Sequence, residues 1–79
     1  MNKIVLTKIR EADDPKHPNN IPPGNDVVGN ISEMPKIGSP FIVAILNSHK
    51  VFYTSRVESI ISLTEFATLN SIYKINFLN

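Results

Sequence analysis

The chain has 79 residues, eight Lys and Arg against seven Asp and Glu, and no cysteine. A domain of this size buries only about 60% of the surface its unfolded chain exposes, and without cysteine it has neither disulfide staples nor thiolate zinc sites. The near-neutral balance argues against a protein that coats phosphate backbones, and no apolar run approaches the roughly 20 residues of a membrane-spanning helix.

Residues 3–9 (KIVLTKI) are rich in β-branched side chains and read as a first strand, with Ile4, Leu6 and Val5 available to a core. The composition then changes abruptly. Residues 11–25 carry Pro15, Pro18, Pro22, Pro23 and Gly24 among Asp, Asn and Glu, which suits neither a ladder nor a helix and predicts a long Pro-rich loop. Residues 26–32 (DVVGNIS) read as a short strand weakened by Gly29, or as an edge segment bulged there. Pro35, Gly38 and Pro40 set turn chemistry around Ile37. Residues 41–46 (FIVAIL) follow as a nearly continuous apolar strand that a barrel or an oligomer interface would bury on both faces.

After a turn at residues 47–50, residues 51–78 read as two arms folded about Thr64 and Glu65. That pairing sets Glu58 opposite Asn70 and Val57 opposite Ser71. Ile60 and Ile61 in succession break the alternation of the first arm and predict a bulge near Ser59. In the second arm Ala67, Leu69, Ser71, Tyr73, Ile75 and Phe77 share one face, and Phe66, Thr68, Asn70, Ile72, Lys74 and Asn76 share a more polar one. The expected fold is all-β: one domain over residues 1–79, a small antiparallel meander of about five strands curled into a barrel or half-barrel.

The polar set Thr54, Ser55 and Arg56 on one arm and Thr68, Asn70 and Ser71 on the other is the best candidate ligand site. Short hydroxyls and an amide beside an arginine suit a phosphate, a ribose or a peptide carbonyl. Tyr53 and Tyr73, on adjacent arms, are candidates to sandwich a base. The structural alternatives are ordinary strand hydroxyls, a kink at Asn70 and Ser71, an Arg56 ion pair with Glu58 or Glu65, and tyrosines in the core or at its rim. His17 and His49 lie in separate loops without a nucleophile, an orienting group or a ligand set, so neither a catalytic centre nor a metal site is read, and no cofactor is implied.

The ordered motifs Pro35-x-x-Gly38-x-x-Phe41, Thr54-Ser55-x-Val57 and Thr68-x-Asn70-Ser71-x-Tyr73 resemble those of small bacteriophage and mobile-element β proteins. The resemblance spans residues 34–75 and leaves the 11–25 loop outside it. It implies a compact β fold and a counter-defence role, either as a sponge for nucleotide immune signals or as an inhibitor of a defence enzyme such as a CRISPR effector. The resulting expectation is a non-enzymatic cytoplasmic protein that sequesters a small anionic, nucleotide-like ligand. Docking on a host defence protein is the alternative, and a nucleic-acid-binding small barrel is the weakest reading. A chain this small without staples also predicts a homo-oligomer.

Overall fold

The computed structural model describes residues 2–11 and 23–78. Six strands run in chain order: β1 (Asn2–Glu11), β2 (Asp26–Ile31), β3 (Pro40–Ile45), β4 (Val51–Ile60), β5 (Glu65–Thr68) and β6 (Ser71–Phe77). Each pairs antiparallel with its neighbour, and β6 pairs back onto β1 to close a barrel. The all-β curled meander is therefore present, with six strands where about five were expected. The long loop expected at residues 11–25 lies mostly outside the described residues. Of its ends, Glu11 belongs to β1, and the chain returns beside Lys8, where Gly24 N–H bonds the Lys8 carbonyl at 2.7 Å.

Alternation explains the interior. Ile4 and Leu6 of β1, Ile31 of β2, Phe41 and Val43 of β3, Val57 of β4, Phe66 of β5, and Tyr73 and Ile75 of β6 form the core. Phe66 lies at the centre of an aromatic row, tilted against Phe41 at 5.0 Å and stacked on Tyr73 at 5.5 Å between ring centroids.

Gly29 marks no bulge: the β1–β2 and β2–β3 registers run through it without a shift. Its role is close approach. A Cβ built at Gly29 would stand 2.1 Å from the Ala44 carbonyl oxygen, so any side chain would push β2 off β3.

Two corrections concern the last third. The arms do not fold about Thr64 and Glu65. Val57 faces Thr68 rather than Ser71, and Ile60 faces Phe66, with the bulge falling between Val57 and Ser59 as the Ile60-Ile61 step predicted. The second arm is not one strand either. It reverses at Leu69 and Asn70 into the β5–β6 hairpin, with Phe66 opposite Tyr73. The reversal puts Phe66 and Thr68 on the same interior side as Ser71, Tyr73 and Ile75, where an unbroken strand would have set the two groups on opposite faces.

The third correction concerns β3. Only Phe41 and Val43 turn inward, while Ile42 and Ala44 are exposed, so the apolar run is buried on one face and bare on the other.

Candidate functional site

The β5–β6 reversal is held by one side chain. Thr68 Oγ1 accepts the N–H of Asn70 at 3.2 Å and of Ser71 at 3.0 Å, and donates to the Ser71 carbonyl at 3.1 Å. Threonine competes well for local main-chain groups, which is why a Thr-x-Asn-Ser run can turn the chain without glycine. Asn70 then reaches across to β4, its Nδ2 donating to Ser55 Oγ at 2.5 Å. Thr54 performs a similar task one strand further on. The β3–β4 register slips between Pro40 and Ile42, and at the slip Phe41 N–H bonds Thr54 Oγ1 at 3.0 Å in place of a ladder carbonyl.

The structure thus brings five of the eight sequence-predicted residues together. Thr54, Thr68, Asn70 and Ser71 are buried and Ser55 is half-buried. Their polar atoms meet main chain or one another, and among the described residues no buried side-chain nitrogen or oxygen lacks a partner. This is a latch between β4 and the β5–β6 hairpin. It spans the three ordered sequence motifs: Phe41, Thr54 with Ser55, and Thr68 with Asn70 and Ser71 are joined by these bonds, while Val57 and Tyr73 fill the core beneath.

The other three residues separate. Tyr73 is 1% exposed in the aromatic row and Tyr53 is 67% exposed on the outside of β4. Lying on opposite sides of the wall, they cannot sandwich a ring between them. Arg56 is also outside, with its Nε 3.4 Å from Glu58 Oε2, the ion pair that was the alternative to a ligand contact.

Two features escaped the sequence reading. Lys8 continues the inward series of Ile4 and Leu6, and its fully buried ammonium pairs with Glu11, whose other oxygen accepts Ser71 Oγ at 3.4 Å. The parity Ile4, Leu6, Lys8 was the available signal. The second is the outside of the β3–β4 hairpin. Ile42 lies directly opposite Tyr53 and Ala44 opposite Val51, and all four are exposed without a charge among them. Beside this face, Met34 lines both a cleft of about 220 Å³ shared with Ile42 and another of about 220 Å³ shared with Pro35, Ile60 and Leu63. The β1–β6 wall is mixed, presenting Lys3, Lys74 and Asn76 together with Ile9 and Phe77.

No family model, curated protein or solved structure matches this chain. Among the described residues no three His, Asp or Glu gather to hold a metal, and no helix is long and apolar enough to cross a membrane.

Proposed function

We propose that this is a non-enzymatic binding protein whose working surface is the outer face of the β3–β4 hairpin, and that its ligand is another protein. The observation that carries the reading is the paired apolar set Ile42–Tyr53 and Ala44–Val51, bare on a closed barrel whose interior is already filled. Monomers rarely leave contiguous apolar surface of more than a few hundred Å² unless it is used, and an exposed tyrosine amid aliphatic neighbours is typical of a contact centre. In the phage setting that the motifs evoke, the partner is a host defence enzyme that the barrel inhibits by docking.

The test is capture from a lysate of the source cell with wild-type protein, Val51→Glu and Arg56→Ala, each first checked for native circular dichroism. A specific protein retained by wild type and Arg56→Ala but lost with Val51→Glu supports the reading. Retention that ignores Val51 overturns it.

A second reading, sequestration of a nucleotide-like anion, is favoured by Tyr53 and Arg56 both standing exposed on the outside of β4, where a ring and a guanidinium could share one ligand. Calorimetry with cyclic nucleotides and ADP-ribose derivatives distinguishes the two. Heat that Arg56→Ala abolishes would move the assignment to the small ligand.

A further inference from the structure

The β3 strand is laddered to β4 along its length but to β2 only at Ala44 and Ile45. Alternate residues of a strand turn their main-chain groups to opposite neighbours. Ile45 N–H bonds the Lys50 carbonyl at 3.1 Å and Phe41 N–H bonds Thr54 on the β4 side, whereas Leu46 N–H bonds the Val28 carbonyl at 3.0 Å on the β2 side. Ile42, in step with Ala44 and Leu46, therefore turns its N–H and C=O toward β2. The register that pairs Asn30 with Ala44 would set Ser32 against Ile42, but β2 ends at Ile31 and Ser32 has left the sheet. Among the described residues nothing bonds the Ile42 main chain on that side.

The vacated place is the cleft of about 220 Å³ between Ile42 and the segment through Ser32, Glu33, Met34 and Lys36. A donor and an acceptor on one residue at an open strand edge form half of a hydrogen-bonded antiparallel pair. Exposed side chains of Ile42 and Met34 flank it, and Glu33 and Lys36 balance in charge, so the site selects neither an anion nor a cation. We propose that this edge takes an extended peptide segment of a partner protein by strand addition, aligned by the Ile42 main chain and carrying an apolar or β-branched side chain onto Ile42 and Met34. The inference rests on the protein-binding reading and names the contact through which the partner begins.

A second copy of this chain does not fit the edge through its own β3. Antiparallel pairing about Ile42 would bring Pro40 against Ala44 of the copy, whose edge Asn30 already occupies. Pro40, lacking an N–H, also ends the open edge after about three residues, roughly 10 Å of strand, which limits uncontrolled sheet growth.

The experiment follows amide exchange and chemical shifts by nitrogen-15 NMR, with an N-acetylated, C-amidated hexapeptide alternating valine and threonine as probe. In the free protein the Ile42 amide is expected to exchange roughly tenfold or more faster than that of Val43, which is laddered to Phe52. Peptide should slow Ile42 selectively and shift Ser32 to Met34. Ile42→Pro deletes an N–H that has no internal partner, so it should keep the fold and lose the peptide-induced shifts, while Ile42→Val should keep both. A protected Ile42 amide in dilute free protein, no shift with peptide, or equal shifts in Ile42→Pro would each overturn the proposal, as would protection that rises with protein concentration alone. If peptide fails while lysate capture still depends on Val51, strand addition falls and docking by the outer face stands; if capture is also indifferent to Val51, both fall.

Discussion

Replacing Thr68 by valine keeps the shape of the side chain and removes one hydroxyl. That hydroxyl receives the N–H of Asn70 and of Ser71 and returns a proton to the Ser71 carbonyl, at 3.0 to 3.2 Å, in a buried position. Each buried polar group left without a partner costs about 1–3 kcal/mol, and the carbonyl, with a second lone pair, loses least. With some relaxation of a two-residue turn, Thr68→Val should cost about 2–4 kcal/mol. For 79 residues the whole stability is on the order of 4–12 kcal/mol, so this single atom holds a large share. Thr68→Ser keeps the oxygen and deletes a methyl, worth about 0.8 kcal/mol. Urea unfolding followed by circular dichroism, with the denaturant slope held common, measures both. The thermal midpoint should drop by roughly 10 to 30 °C for valine and by only a few degrees for serine. If valine costs no more than serine, the latch is not what holds the hairpin. If Thr68→Val instead leaves stability intact and abolishes nucleotide binding, Thr68 is a ligand contact and the assignment of this cluster to folding is wrong.

Gly29→Ala places a methyl against the Ala44 carbonyl at an impossible separation and should destabilise by at least about 1–3 kcal/mol in the same unfolding assay, with the loss of protection concentrated at the two-residue β2–β3 seam. Glu11→Gln strips one carboxylate charge from beside the buried Lys8 ammonium, whereas Lys8→Met removes that ammonium and leaves a Glu11 that water still reaches. The first should therefore unfold at a lower urea concentration than the second.

The fold class was legible because the strands advertise themselves: β-branched runs at residues 3–9 and 41–46, and the Ile60-Ile61 step that places the bulge. The last hairpin was not, for a local reason. Leu69 is apolar and falls in phase with Ala67 and Ser71, so alternation continues straight through the turn, and only the Thr68 hydroxyl distinguishes a reversal from a strand. The register about Thr64 failed because the turn closes one residue earlier, where the Ile61 and Ser62 N–H groups bond the Glu65 carbonyl, and the bulge between Val57 and Ser59 shifts the pairing again. Of the candidate site, the cluster was found, but not the main-chain and mutual hydrogen bonds that engage it. Hydroxyls and an amide suited to a ligand are equally suited to main-chain groups stranded at a register slip and a tight turn. The outer face was hidden inside a sound observation, because a run apolar on both faces reads as doubly buried until the barrel shows Ile42 and Ala44 exposed.

The surface assignment is tested most directly by the hydrogen-exchange footprint of the captured partner on this barrel. Protection is predicted over residues 40–45 and 51–54, with the amide of Ile42 gaining most. A footprint on the β1–β6 wall, or one centred on Arg56 and the Asn70–Ser71 turn with β3 unchanged, would contradict it.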